Sequence, residues 1–298
     1  MASNDNREIE LKLALGPEGR TQLMASEQLS QLTPTRMSLG NRYFDTPDGQ
    51  LQTHRLALRL RKGEGERLIQ TLKSVGTSTG GLSQRGEWQW ERDTDQLDLE
   101  ALKALAQQHS ELAPLADDAL LEQLQPLFST NFERIAYTIP WQDAVIELAI
   151  DHGSIVASDQ TRVINEVELE LKQGSPEALW ALADVVVKEA PMRPSDSSKA
   201  SRAGALLSPQ PLGDELPEEP EALLGAAIAA LDYAEDERGS HHGIEIALLA
   251  LQKLDIHYPE LGGEKLIEAL SQPDWQQHTQ VGIEMLALVN RLGADHQD

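Results

Sequence analysis

Residues 7–15, REIELKLAL, alternate strictly: Glu8, Glu10 and Lys12 on one parity, Ile9, Leu11 and Leu13 on the other. Side chains of a strand point to opposite faces with period two, so this stretch reads as a strand with one apolar and one charged face. The pattern returns at 41–46 (NRYFDT), 57–63 (ALRLRKG), 67–74 (RLIQTLKS) and 81–93 (GLSQRGEWQWERD). It returns again at 127–141, 144–157 and 162–174. Turn chemistry separates some of these: TPDG at 46–49 places Pro and Gly where turns want them, and GEGE at 63–66 suits a hairpin loop.

Helical spacing predicts segments at about 17–31, opened by Pro17, and at 96–127, divided near Pro114. A further amphipathic helix is expected over 175–190, with Ser175 as N-cap and Pro176 at its first position. Residues 190–206, APMRPSDSSKASRAGAL, read as a loop, and 208–220, with four prolines and a run of acids, as a linker. Four helices are expected beyond it, at 221–235, 241–256, 260–271 and 277–292, their core drawn from Leu223, Leu224, Ile228, Leu231, Ile246, Leu249 and Leu254.

The charged parity is the unusual feature. Acidic rows are Glu8/Glu10 and Glu166/Glu168/Glu170; basic positions are Arg59/Arg61, with Lys12, Lys73, Arg85 and Arg134 on other strands. A sheet with a solvated outer face would carry such rows, each cross-strand pair contributing about 0.2–1 kcal/mol. A closed barrel with the charged parity inward accounts better for their recurrence over six or more strands. Carboxylates suit hard divalent cations and Arg/Lys suit phosphate oxygens, so such an interior describes a metal-dependent polyphosphate site.

Composition narrows the field. The chain has 298 residues, no cysteine and a formal net charge of −24, which excludes disulfides and thiolate metal sites and argues against general nucleic-acid binding. No apolar run is long enough to span a bilayer, so no membrane partner and a cytoplasmic location are the default expectations. Residues 206–298 hold only 4 of the 25 basic residues, against 18 acidic ones, so an anion site is expected in the first part of the chain.

EIELKLAL resembles the N-terminal ExExK signature of the CYTH family, the triphosphate tunnel metalloenzymes. The likeness continues in order through YFDT, LALRLRKGEG, LIQTLKS, RGEWQWE, FERIAY, IELAIDHGSI, EVELELKQG and SDSSKASR, over residues 7 to about 205. Order and spacing most resemble the bacterial inorganic triphosphatases that carry a second, helical domain. The resemblance implies an α+β fold: an eight-stranded antiparallel β-barrel forming a tunnel, with flanking helices and here a C-terminal all-α domain. It implies a CYTH triphosphate tunnel domain over 1–207, a linker at 208–220 and a helical accessory domain over 221–298.

Residue by residue, Glu8, Glu10, Glu168 and Glu170 match metal-binding carboxylates, with Asp151 at a further acidic position, for Mg²⁺ or Mn²⁺. Glu166 has the same parity, so the register could shift by two. Lys12, Arg59, Arg61, Lys73, Arg85, Arg134 and Lys199 match positions that hold the triphosphate, and Glu8, Glu10, Lys12 and Lys73 are the expected catalytic set. Glu87 is a weaker candidate. The implied reaction is hydrolysis of inorganic triphosphate to diphosphate and phosphate. Alternatives are a class IV-type adenylate cyclase or thiamine-triphosphatase of the same fold, or a non-catalytic polyphosphate-binding module.

Other signals lead elsewhere. LRKGEG lacks the GK[ST] and following helix of a P-loop. His241–His242 reads as an exposed pair rather than a metal site, and Trp88 and Trp90, opposite in parity to Arg85 and Glu87, as outer-face packing. Many CYTH proteins continue into a basic helical CHAD module; residues 221–298 lack its basic rows, so the tail resembles a divergent or shortened version.

Overall fold

The computed structural model describes residues 6–63, 67–235 and 240–294, so most of the expected GEGE loop lies outside the described residues. Among the described residues the strands are β1 (Arg7–Leu15), β2 (Thr35–Asp45), β3 (Ala57–Lys62), β4 (Leu68–Thr79), β5 (Leu82–Arg92), β6 (Gln125–Trp141), β7 (Ala144–Ala157), β8 (Gln160–Gln173) and β9 (Met192–Pro194). They pair antiparallel in the order β5-β4-β3-β2-β6-β7-β8-β1-β9, and β1 also pairs with β5. That extra pairing, with Glu8 opposite Arg85, closes eight strands into a barrel. β9 continues the far end of β1, Leu13 opposite Pro194.

The apolar parity faces outward and is covered. Leu11, Leu13, Ile146, Leu148, Ile150, Val167 and Leu169 pack with Leu179, Leu182 and Val186 of α6 (Glu177–Glu189). α1 (Gly19–Ala25) and α2 (Glu27–Ser30) add Leu23 and Leu29 to that core. Leu58, Leu72 and Trp88 pack under α4 (Leu99–Gln108), a 3₁₀ turn (Ser110–Ala116) and α5 (Asp118–Leu121), with Trp90 against the same cluster. Each fully buried leucine contributes about 1.5–3 kcal/mol, so covering this face leaves the charged parity to line the interior.

Several boundaries differ from the sequence reading. The segment expected as a loop over 190–206 contains β9 and the helix α7 (Lys199–Leu207), started by a Ser198/Ser201 capping box. Its short, polar first turn masks the helical period, and the cap decides the start. Residues 50–53 form α3 (Gln50–Thr53) after the Gly49 turn. The α6 helix starts at Glu177, with Pro176 rather than Ser175 in the N-cap position and no side-chain cap. β6 takes over from the helical stretch at Gln125, two residues earlier than the pattern placed it.

α7 fills part of one barrel end. Its Ala203 and Leu206 pack with Leu39, Phe132, Ile155, Ala157 and Ile164. The inward parity is therefore apolar at that end and charged in the middle and at the opposite mouth.

The remaining helices are α8 (Pro220–Ala234), α9 (Ser240–His257), α10 (Glu264–Leu270) and α11 (Gln280–Ala294). Leu224, Ile228, Leu231, Leu251, Leu254, Met285 and Leu288 build their separate core. Leu249, expected in that core, is half exposed on the outer side of α9. Leu212 and Leu216 of the proline-rich segment pack on this cluster, so the segment is strapped to the helices rather than free. A Cβ on Gly282 of α11 would overlap the Met192 carbonyl of β9, and one on Gly16 the Gln276 carbonyl. Barrel and helices thus meet backbone to backbone. Among the described residues no helix is long and apolar enough to cross a membrane.

Candidate active site

The inward charges surround a cavity of about 310 Å³. β1 supplies Glu8 and Lys12, β3 Arg59 and Arg61, β4 Lys73, β5 Arg85 and Glu87, β6 Arg134, β8 Glu168 and Glu170, and α7 Lys199, with its cap Ser198. Alternation along each strand puts them on one surface. Lys73 stands where the β4–β5 register shifts, and a Cβ on nearby Gly76 would overlap the Gln84 carbonyl, so the bulge requires glycine.

One wall is backed by a knot of acids and three cations. Asp151, Glu166 and Glu168 bring carboxylate oxygens within 4.8 Å of one another. Lys199 Nζ donates to Asp151 Oδ2 at 2.7 Å, to Glu168 Oε1 at 2.9 Å and to Glu166. Arg134 grips Asp151 with two bonds of 2.7 Å and also reaches Glu168. Arg202 of α7 holds the other oxygen of Glu166 from behind. Burial would raise the Asp151 and Glu168 carboxyls, but Lys199 and Arg134 hold both below the usual carboxylate range, Glu168 well below.

The facing wall is organised around Glu8. Lys73 Nζ lies 2.7 Å from both of its oxygens, and Arg85 Nε donates to it at 2.9 Å. Arg85 Nη2 donates to Glu10 at 2.8 Å. Glu87 is 3.6 Å from Lys73 and 3.7 Å from Arg59. Burial opposes its ionisation, yet these two cations bring its carboxyl down to about 2. Glu170 goes the other way: burial raises it, with Glu8 and Glu147 adding repulsion to what Lys172 offsets.

Arg61 is the odd member. Its Nε donates to Asn41 at 2.9 Å, and no carboxylate among the described residues lies within ion-pair distance of it. Burial, with Arg59 and Arg134 alongside, pushes its guanidinium down to about 9. A partly buried cation beside other cations is favoured by an anion that joins it.

Ten of the expected residues line this one cavity: Glu8, Lys12, Arg59, Arg61, Lys73, Arg85, Arg134, Glu168, Glu170 and Lys199. Glu10 and Asp151 stand behind its surface, tied to Arg85 and to Arg134 and Lys199. Glu10 and Glu170 are directly paired across β1 and β8, but the tight carboxylate cluster is Asp151, Glu166 and Glu168. Not foreseen are Tyr43, Lys172 and Arg202. Lys172 shares the parity of Glu168 and Glu170 and so was within reach of the pattern; Arg202 was hidden in the segment read as loop. His241 and His242 lie beside Glu245 and Asp214 at the surface, far along the chain from this cavity's residues.

A second cavity of about 270 Å³ shares Lys12, Tyr43, Ala57, Lys73, Arg85, Ser198 and Ala200 with the first. The Tyr43 and Phe128 rings on its wall stack at 4.5 Å.

The CYTH domain pattern matches residues 6–203. The chain belongs to the CYTH domain family. Among curated relatives, the inorganic triphosphatase of Haemophilus influenzae is 34% identical over 213 residues, covering 70% of this chain and 58% of that protein. This CYTH chain therefore matches little more than half the length of that relative. Among solved structures, a Hippeastrum protein described as having a dominant triphosphatase activity aligns with a TM-score of 0.49 and 22% identity, covering 66% of this chain and 96% of that one. The PH1819 protein of Pyrococcus horikoshii aligns with a TM-score of 0.42 and 16% identity, over 68% of this chain and 99% of that one. The family assignment rests on the sequence match.

Proposed function

We propose that this CYTH protein hydrolyses inorganic triphosphate to diphosphate and phosphate with the help of Mg²⁺ or Mn²⁺. The observation that carries the reading is Arg61, a partly buried cation with no carboxylate among the described residues within ion-pair distance, lining one small cavity together with Glu168 of the carboxylate cluster. The cations call for a polyanion and the carboxylates for a hard cation; a triphosphate–metal complex meets both needs.

The donor set fits such an ion, because Asp151, Glu166 and Glu168 offer only hard oxygen atoms and group closely enough to share one charge. These three would hold a metal, with Glu8, Glu10 and Glu170 as the further carboxylates of the interior. Bound there, a divalent ion would polarise phosphoryl oxygens and acidify water. Arg59, Arg61, Arg85 and Arg134 would fork onto phosphate oxygens, and Lys12 and Lys73 would add point charges. Water attacks the terminal phosphorus, and the P–O bond to the leaving diphosphate breaks. The fixed cations stabilise the charge gathering on that leaving group without reorganising, which is the main catalytic contribution expected of the protein.

On this reading residues 1–207 form the catalytic unit, 208–220 the strap and 221–298 an accessory unit. A second reading is favoured by the Tyr43–Phe128 stack beside the second cavity, which offers a surface for an organic group. A nucleoside or thiamine triphosphate would place its ring there. The test is phosphate release from inorganic triphosphate, ATP and thiamine triphosphate with Mg²⁺, Mn²⁺ or EDTA. Metal-dependent release from inorganic triphosphate supports the first reading; preference for an organic triphosphate supports the second. Binding without turnover would leave a polyphosphate-binding module.

A further inference from the structure

Asp232 is a buried carboxylate in α8, a helix otherwise made almost wholly of apolar residues, and its side-chain partners belong to the barrel. Its Oδ1 accepts from Arg193 Nη1 at 2.7 Å, and its Oδ2 accepts from the backbone amides of Asp196 and Ser197, each at 3.0 Å. Burying a carboxylate costs several kcal/mol unless partners compensate, and here a guanidinium and two converging amides do so. The same short segment is held from the opposite side. Ser195 N donates to the Lys12 carbonyl at 3.1 Å, and Asp196 Oδ1 accepts from Ser78 Oγ at 2.7 Å and from Gly81 N at 3.0 Å.

The clamped turn leads straight into the site. Ser198, the next residue, caps α7 by accepting from Ser201 N, and the first residue of that helix is Lys199, whose ammonium stands over Asp151, Glu166 and Glu168. We propose that Asp232 is a positioning residue for the barrel site: through it the C-terminal helices hold the 195–198 turn, and so set where Lys199 stands. The proposal rests on the reading of the cavity as a triphosphate site. An apolar residue at 232 would leave two amides and part of Arg193 without acceptors, and the turn would relax away from the helices.

The test is a double-mutant cycle on the full chain: wild type, Asp232→Ala, Lys199→Ala and the double variant, with Asp232→Asn carrying the cycle if the alanine variant does not fold. Readouts are kcat/KM for inorganic triphosphate with Mg²⁺ and calorimetric affinity for inorganic triphosphate. Because small misplacements in an active site cost up to about 100-fold, Asp232→Ala should lower kcat/KM by roughly 10–100-fold, and Asp232→Asn by less. In the Lys199→Ala background the same substitution should cost less than about twofold, since effects acting through one group do not add. An undiminished loss in that background, or wild-type kcat/KM for Asp232→Ala, overturns the proposal. If wild type releases no phosphate, the catalytic reading fails by itself and the cycle is judged on affinity. Non-additive losses then sustain the positioning role; additive losses, unchanged affinity, or no binding by wild type overturn it.

Discussion

Lys199 Nζ lies 2.7 Å from Asp151 Oδ2, although the residues are 48 positions apart and the lysine comes from a helix rather than a strand of the barrel. One ammonium thereby serves a buried cluster of three carboxylates. Its charge does there what the proposed divalent ion would also do.

Lys199→Met should therefore destabilise the metal-free protein by about 3–5 kcal/mol, the usual effect of leaving a buried charge unpaired. On the proposed metal site, added Mg²⁺ should recover part of the loss by mass action, because an ion that binds only the folded cluster stabilises it. Thermal melts in EDTA and in Mg²⁺ measure both. Equal destabilisation in the two buffers would show that the cluster does not take up the ion.

Arg61→Ala should behave oppositely on stability and function. A guanidinium with no carboxylate among the described residues within ion-pair distance, crowded by Arg59 and Arg134, does little for the unliganded fold, so the metal-free melting temperature should stay level or rise. KM for inorganic triphosphate should rise by roughly 10–150-fold, the equivalent of the ~1.5–3 kcal/mol of a charged hydrogen bond. Steady-state kinetics beside a melt decides; a lowered melting temperature with unchanged KM would assign Arg61 to the fold.

Part of the acid sensitivity should trace to Glu87, beside that of Asp151 and Glu168, whose carboxyls are also held down. The Glu87 carboxyl titrates at about 2 in the folded protein against an ordinary 4.5. A depressed folded value contributes stability that is present above pH 4.5 and is lost as pH falls from there toward 2. The difference corresponds to on the order of 3 kcal/mol. Urea unfolding in EDTA between pH 6 and 2.5 should show wild type losing this increment on acidification. Glu87→Gln should be weaker at pH 6 and flatter with pH.

Gly282→Val should loosen the joint between α11 and β9, because a side chain there meets the Met192 carbonyl. Overpacking of this kind costs about 1–3 kcal/mol. Limited proteolysis should cut the segment around 208–220 faster in the variant than in wild type. Unchanged cleavage and stability would mean that the helices can shift without loss.

Much of this architecture was legible in the chain. Alternation in β1, β3, β5 and β8 assigned Glu8, Arg59, Arg61, Arg85, Glu168 and Glu170 to one face, because a strand's period of two leaves a side chain no other choice. Trp88 and Trp90 went to the opposite face for the same reason, and they lie under α4. Alternation along any one strand could not say whether the charged face met solvent or enclosed a cavity; its recurrence over six or more strands favoured a closed barrel, and the resemblance to the CYTH family implied one.

That was decided by β1 pairing with both β5 and β8, a contact between distant parts of the chain that no local pattern encodes. The segment holding α7 illustrates the same limit. Its serines and small residues look like a loop until Ser198 caps it and the barrel end accepts Ala203 and Leu206. Asp232 stands in a helix whose only other acid is Glu221 in the first turn, and only the docking of α8 reveals that its partners include the amides of Asp196 and Ser197. The sequence by itself determined which residues share a face, because side-chain direction follows from local backbone geometry. The closure of β1 on β5 and the choice of which carboxylate meets which cation came from the tertiary structure, because Coulomb energies depend on distances that only the closed barrel sets.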